Sequence, residues 1–224
     1  MKTLIEDIIE QLEELEGPSK AVEMEIMAAT MSAFRHCTSS VDGALDLAVL
    51  APGWYISRAG DNARGEPGNM RVFGHTAEYT NEVERVQGDA PTKPLAYCLA
   101  ILKAYLSSWE ESEKALLALL DGDTRVSTEI KADVRAVISN IVTPFRLPDA
   151  EIDEDDQSIV LRWTGDGNET FSLTFLGKGF VAGCLSKENP SSPAWRRAVD
   201  EAGPLQKSFR NSEVTKIISL PARG

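Results

Sequence analysis

The sequence predicts an α+β fold in two domains, residues 1–120 and 121–224. Three observations indicate it: helical spacing of apolar residues near the N-terminus, β-rich runs flanked by glycine and proline, and a change of composition after Ser107. With 42% hydrophobic and 26% charged residues, the chain can bury a core in each domain. We expect helices, a small antiparallel sheet and a helix in the first domain, and a three- to four-stranded antiparallel meander in the second.

Two amphipathic helices are predicted at the N-terminus. Leucine and isoleucine recur at helical spacing over residues 3–16, and Thr3 with Glu6 matches a capping box. A Gly-Pro-Ser turn separates this helix from a second one over residues 19–34. The second helix carries a stripe of methionines, which are Met24, Met27 and Met31. We interpret this stripe as core, since an adaptable partner groove built from methionine would require exposed side chains.

The sequence of the rest of the first domain predicts a small sheet between helices. A Pro-Gly turn after Ala51 ends one helix, and aromatic and β-branched residues then favour extended structure. The glycine-rich segment Gly60 to Asn69 is expected to be a loop. The predicted elements are a helix over 41–50, strands over 54–58, 70–75 and 81–86, and helices over 95–106 and 115–120.

The second domain predicts one helix followed by an antiparallel meander. Two alternating apolar runs flank a Thr-Gly-Asp-Gly-Asn-Glu segment, which is typical of a hairpin. An acidic loop, Asp149 to Asp156, precedes the first of these runs. The predicted elements are a helix over 128–142, strands over 158–163, 170–175 and 180–185, a short helix over 195–202, and a tail, 214–220, that would add a last strand.

The charge balance favours basic partners. The chain has 23 Lys and Arg against 35 Asp and Glu, a formal net charge of −12 that repels nucleic-acid phosphates. Residues 1–120 hold 10 basic and 19 acidic residues, so most of the excess lies in the first half. Basic residues gather only near the C-terminus, where Trp195, Arg196 and Arg197 fit either a phosphate contact or a surface helix with Trp195 inward. Direct nucleic-acid binding is not favoured.

Cysteine usage and hydropathy predict a cytoplasmic protein. Three distant cysteines form neither a disulfide framework nor a CxxC motif. The first ten residues are too acidic for a secretory signal, and no apolar run is long enough to span a bilayer.

No catalytic constellation is evident, and we expect neither an enzyme nor a cofactor. The only histidines are His36 and His75, and Cys37 beside His36 points about 100° away if both lie on a helix. A zinc site would require His36, Cys37, His75 and Cys98 to converge from distant positions. No phosphate-binding glycine motif is present.

The acidic loop is not a calcium-binding EF-hand. A loop that starts at Asp153 would need glycine and glutamate where Ser158 and Thr164 stand. Three interpretations remain open for this loop: a solvated surface, a weak cation site, or a contact with a basic partner. We select Asp153, Glu154, Asp155 and Asp156, together with Trp54 and Tyr55 of the first domain, as candidate partner-binding residues, and no metal ligands.

The first half resembles the phage ABA sandwich domain, over about residues 5–107. The residues that carry this resemblance are Leu12 to Ser19, Glu23 and Ile26 in the following helix, Ser40 to Leu47, Pro52-Gly53-Trp54, and Pro94 to Ala104. The resemblance implies an α-β-α sandwich and a tailed-phage or prophage origin, and it brings no catalytic motif. The chain departs from the usual pattern by its Met-rich second helix and by the whole of residues 108–224.

The sequence is therefore compatible with two alternative functions. The first is a phage or prophage accessory protein that binds a host protein in the bacterial cytoplasm and inhibits a defence system such as CRISPR. The second is a small-molecule or nucleotide sequestering protein, with Trp54 or Tyr55 as a stacking platform beneath the loop Gly60 to Asn69. We also expect a homodimer, formed through the leucine and isoleucine face of residues 4–15.

Overall fold

The computed structural model confirms the α+β fold. It describes residues 2–30, 33, 35–52, 54–61, 68–75, 83–141, 143–153, 155, 157–167, 169–187 and 194–220. The chain divides into two compact units, the first ending at Ser108 and the second covering Trp109–Leu220. The division lies before the predicted boundary at residue 120, and it falls inside a helix.

The first unit contains three helical segments, a small sheet and the start of a long helix. Its elements are α1 (Lys2–Glu14), α2 (Lys20–Thr30), α3 (Val41–Asp46) with a 3-10 turn (Leu47–Leu50), β1 (Trp54–Asp61), β2 (Gly68–His75), β3 (Val83–Asp89) and α4 (Lys93–Asp121). The three strands are antiparallel in the order β1-β2-β3. Ser40 caps α3 by accepting a hydrogen bond from the Gly43 backbone N–H.

Helix α4 is longer than the sequence predicts. Two separate helices were expected, over 95–106 and 115–120, but α4 continues from Lys93 to Asp121 without a break. The intervening residues 107–114 include three glutamates and one lysine, which form helices readily, and contain no glycine or proline that would end a helix. Its buried side chains also recur at helical spacing: Trp109, Ser112, Leu116 and Leu120.

The core of the first unit contains most of the apolar face of α1, from Ile5 to Leu12, while Leu4 is 37% exposed. Ile5, Ile8 and Leu12 are at most 1% exposed and pack with residues of α2 and α4. Burial of this face removes the surface through which the homodimer was expected to form. It accounts instead for the stability of an apolar stripe of two heptads that would be marginal alone.

The second unit is built on a sheet of five strands rather than three or four. Its elements, after the end of α4, are α5 (Thr128–Ile138), β4 (Asp149–Asp153), β5 (Ser158–Thr164), β6 (Thr170–Phe175), β7 (Phe180–Ser186), β8 (Trp195–Ala198), α6 (Ala202–Phe209) and α7 (Ser212–Ile218). All neighbouring strands are antiparallel, in the order β4-β5-β6-β7-β8.

Three predictions for this unit are wrong, and pairing explains two of them. The first part of the expected acidic loop is strand β4. Pairing of Ile152 with Ile159 places this segment on the edge of the sheet. The segment 195–202, expected to be a helix, starts instead as strand β8, which pairs with β7. The expected terminal strand is helix α7, whose first turn is capped by the Asn211 side chain.

The second core lies on one face of the five-stranded sheet. Alternate residues of β5, β6 and β7 are buried, and their neighbours are exposed or half-buried. Trp163 contacts Phe171, which meets Phe209 edge to face with ring centroids 6.3 Å apart. Helices α5 and α7 contact the central strands. None of the helices in the described ranges has the length and apolarity needed to cross a membrane.

Candidate partner-binding surfaces

An acidic edge strand is the first candidate surface. In β4, Asp149, Glu151 and Asp153 occupy alternate positions, so their side chains share one face of the strand, and all three are exposed. Asp155 follows at once, is exposed, and donates its backbone N–H to Asp153 Oδ1 at 3.0 Å. We call the set Asp149, Glu151, Asp153 and Asp155 the acidic edge.

The acidic edge adjoins an open strand margin. Strand β4 pairs only with β5 within the described residues, so its outer backbone groups face away from the sheet. Carboxylates on an edge strand discourage pairing with another copy, and they favour contact with a basic segment. Arg162 of β5 lies 3.4 Å from Glu151 and forms an exposed ion pair with it. Of the predicted site residues, Glu154 and Asp156 lie outside the described part of the chain.

Trp54 has a structural contact in the first unit. It begins β1, is half-buried against the core, and donates its indole N–H to Ser108 Oγ at 2.7 Å. A ring held in this way has little freedom to stack on a ligand. The Tyr55 side chain and most of the loop Gly60 to Asn69 lie outside the described residues.

Trp195 and the arginines beside it are also occupied within the protein. The Arg197 guanidinium lies 5.7 Å from the centre of the Trp195 ring, and Arg196 lies 4.1 Å from the centre of the Phe180 ring. The Trp195 ring covers Gly183 so closely that a Cβ there would overlap it. These contacts hold the Trp195 ring against β7, while Arg196 remains exposed.

Two cysteines that are distant in sequence meet in the first core. Cys37 and Cys98 are both fully buried, and the Cys98 thiol donates to the Cys37 carbonyl oxygen at 2.8 Å. The hydrogen bond with Cys37 and burial raise the pKa of the Cys98 thiol, so it stays protonated. The spacing of 61 residues gave no sign of this contact.

The zinc combination considered from the sequence is not assembled in the described residues. His36 is exposed, whereas its neighbour Cys37 is buried. No group of three or more His, Cys, Asp or Glu side chains in the described ranges lies close enough to hold a metal ion. The His75 side chain is outside those ranges.

A methionine groove on α2 is the second candidate surface, and sequence reasoning placed it in the core. The buried residues of α2 are Val22, Ile26 and Ala29, whereas Met24 is 62% exposed. Met24 and Met27 belong to a groove of about 350 Å³. The groove is lined by Lys20, Glu23, Met24, Met27, Arg35 and His36. The expectation that the methionine stripe is core is wrong for Met24, and Met31 lies outside the described residues.

A fixed loop forms one wall of the methionine groove. Thr38 is buried and donates its hydroxyl to Glu23 Oε1 at 2.8 Å, and the same oxygen accepts the Thr38 backbone N–H at 3.0 Å. His36 adopts a left-handed backbone with φ of 62°, and its carbonyl accepts the N–H groups of Ser39 and Ser40. Gly43 allows the loop to pass, because a Cβ there would lie 2.7 Å from the Arg35 carbonyl oxygen.

This network gives the groove a basic rim. Glu23 also lines the groove, and its Oε1 accepts hydrogen bonds from Thr38 and Ser39, which neutralise part of its negative charge. Lys20 and Arg35 are exposed and have no ion-pair partner among the residues that the structure describes. An apolar floor with two cations at its border suits an apolar segment that carries carboxylates.

The comparisons with known proteins give no further guidance. No protein-family model, no curated protein and no solved structure matches this chain. The resemblance to the phage ABA sandwich domain therefore stays a prediction that depends on the residues named above.

Proposed function

We propose that this protein acts by binding a host protein that carries a basic surface, and that the acidic edge is the part that binds. One observation carries the proposal: four exposed carboxylates line a sheet margin whose backbone groups have no partner strand in the described residues. Such a margin offers a basic segment both ion pairs and main-chain hydrogen bonds.

The charge of the whole chain supports the same choice. A formal net charge of −12 accelerates encounter with a basic partner and disfavours phosphate-rich ligands. Basic surfaces of this kind are typical of proteins that bind nucleic acid. Occupation of such a surface would block access of the nucleic acid without any chemical step.

The biological setting we propose is that of a phage or prophage accessory protein. The residues of the first half that resemble the phage ABA sandwich domain support this origin. The partner would then be a nucleic-acid-binding component of a bacterial defence system such as CRISPR, and the protein would inhibit it as an anti-CRISPR protein does. The sequence itself predicts no catalytic constellation, and we therefore propose a binding activity.

The test is a binding assay with purified CRISPR effector complexes and two charge-matched variants. The edge variant is D149N/E151Q/D153N/D155N. The control variant, D46N/E129Q/D200N/E201Q, removes the same charge from four exposed carboxylates elsewhere that have no ion-pair partner in the described residues. Biolayer interferometry at several salt concentrations would measure affinity, and DNA binding by the effector would report competition.

We expect wild type and control to bind alike, with affinity that falls as salt rises, and the edge variant to bind about tenfold or more weakly. Effector binding to DNA should fall in the presence of wild type and recover with the edge variant. Equal losses in both variants would indicate that net charge alone matters, and this would contradict a role for the acidic edge. Unchanged DNA binding by every effector tested would contradict the proposed inhibition.

A further inference from the structure

The outer face of α1 complements the methionine groove. Asp7, Glu10 and Glu14 are exposed and spaced three and four residues apart, so they lie on one side of the helix. None of the three has an ion-pair partner within the described residues. Leu4, 37% exposed, lies on the same side one turn before Asp7. We call these four residues the α1 stripe.

The two surfaces are opposite in charge and both contain exposed apolar atoms. The α1 stripe presents three carboxylates beside one leucine, and the methionine groove presents Met24 beside two cations, Lys20 and Arg35, that have no ion-pair partner in the described ranges. Desolvation of exposed apolar side chains supplies binding energy, and opposite charges fix the register. Methionine suits such a contact because its flexible thioether adapts to the partner's shape.

Both surfaces lie on one helical hairpin, so a symmetric pair of chains would form two contacts, each between the α1 stripe of one chain and the methionine groove of the other. Helices α1 and α2 pack together, and the Gln11 side-chain amide joins Glu25 at 2.9 Å between them. In a dimer with a twofold axis parallel to the hairpin, the α1 stripe of each chain would lie over the groove of the other. This arrangement is closed and gives two identical contacts, as most homodimers have.

We propose that the methionine groove binds the α1 stripe of a second copy of this chain, and that the protein forms a twofold homodimer through these surfaces. The interface differs from the buried leucine and isoleucine face first expected. It is also separate from the acidic edge, which belongs to the second unit. Failure of the dimer would leave the proposed host-binding function untouched.

Sedimentation equilibrium over a concentration series tests the apolar part. Wild type should behave as a dimer that dissociates on dilution and on addition of salt. Met24→Glu should weaken the dimer about tenfold or more, since it buries a carboxylate between apolar groups. Val49→Glu is the matched control, because Val49 is a 73% exposed apolar side chain of the same unit and lies outside the groove. Circular dichroism would verify that both variants fold.

A charge exchange tests the pairing itself. The groove variant K20E/R35E has an acidic groove and an acidic stripe, and the stripe variant D7K/E10K/E14K has a basic stripe and a basic groove. Each should be monomeric alone, while an equimolar mixture should form heterodimers, because every contact then joins opposite charges. Glutamate at position 20 also suits the first turn of α2, so the fold is kept.

Three outcomes would overturn the proposal. Wild type that remains monomeric at the highest concentration contradicts it directly. A wild-type dimer that M24E leaves unchanged places the interface elsewhere. Folded charge variants that fail to associate when mixed contradict the pairing of groove with stripe.

Discussion

At the scale of single residues, several side chains are fixed by one close contact. The Trp163 indole donates to the Arg146 carbonyl at 2.7 Å, and Asp133 accepts the Gly179 backbone N–H at 3.0 Å. The Asp123 side chain is held by a charged neighbour. Hydrogen bonds from Arg125 keep the pKa of the Asp123 carboxyl at about 2, below its usual range. A close steric constraint lies where β7 passes beneath Trp195.

Gly183→Ala should destabilise the second unit. A methyl group at this position would overlap the Trp195 ring, so the ring must move and the pairing of β7 with β8 is strained. We expect a loss of about 1–3 kcal/mol in the free energy of unfolding, measured by urea titration. Tryptophan fluorescence of the folded variant should change as well.

Gly203→Ala is the control for this change. Gly203 lies in helix α6, and a Cβ there would meet no atom within 4 Å. Alanine in a helix is favoured over glycine, so stability should be unchanged or higher by about 0.5–1 kcal/mol. Equal stability of both variants would show that the Trp195 ring moves aside without cost.

At the scale of elements, alternation and helical spacing predicted most of the fold. Strands β5, β6 and β7 alternate between buried and less buried residues, and this pattern is visible in the sequence itself. Strand β4 was missed because aspartate and glutamate disfavour strands, and only pairing with β5 overrides that preference. Helix α7 was missed because its β-branched residues favour a strand when they are considered without the Asn211 cap.

The candidate surfaces were predicted less well than the elements. The acidic residues near position 153 were recognised, since their charge is visible in the sequence, whereas the methionine groove was assigned to the core. Helix α2 has two apolar stripes, one containing Val22 and Ile26 and one containing Met24, and periodicity cannot decide which stripe faces inward. That choice depends on α1 and on the loop at Thr38, which are tertiary contacts.

Thr38→Val should loosen the loop that forms the groove wall. The substitution removes the hydroxyl that donates to Glu23 and accepts the Ser19 backbone N–H at 3.0 Å. Partly buried polar groups would then lose their partners, and we expect a loss of about 1–3 kcal/mol in the free energy of unfolding of the first unit. Urea titration followed by circular dichroism would measure it.

Thr92→Val is the matched control in the same unit. The Thr92 hydroxyl oxygen is buried without a hydrogen-bond partner in the described part of the chain. Its removal therefore costs no hydrogen bond, and stability should stay the same or rise. A comparable loss in both variants would refute the importance of the Glu23 and Thr38 network.

At the scale of the whole molecule, the excess of negative charge is the dominant electrostatic feature. With a formal net charge of −12, the excess negative charges repel one another more strongly in the compact folded state than in the expanded unfolded chain. The described ion pairs are mostly exposed, as at Arg135 and Asp121, and contribute little to stability. Stability should therefore depend on the screening of like charges more than on individual pairs.

The melting temperature should rise when sodium chloride is added to protein in dilute buffer. Added salt shortens the screening length from about 30 Å at 0.01 M to about 8 Å at 0.15 M, which weakens repulsion across the molecule. Differential scanning calorimetry of wild type and of the charge-neutralised variant D46N/E129Q/D200N/E201Q would test this. The variant should melt higher at low salt and show a smaller increase. A melting temperature that falls with salt would mean that attractive pairs dominate.

Helix α4 limits how this protein can be divided or recombined. The boundary between the two units falls between Ser108 and Trp109, in the middle of a continuous helix rather than in a linker. A cut at that point would strip four carbonyl groups from one fragment and four N–H groups from the other of their helical partners. A gene rearrangement that exchanged one unit for another would have to join two helices in phase, with the buried residues of both halves still facing inward. Inheritance of the two units as one piece is the simpler route for a chain built in this way.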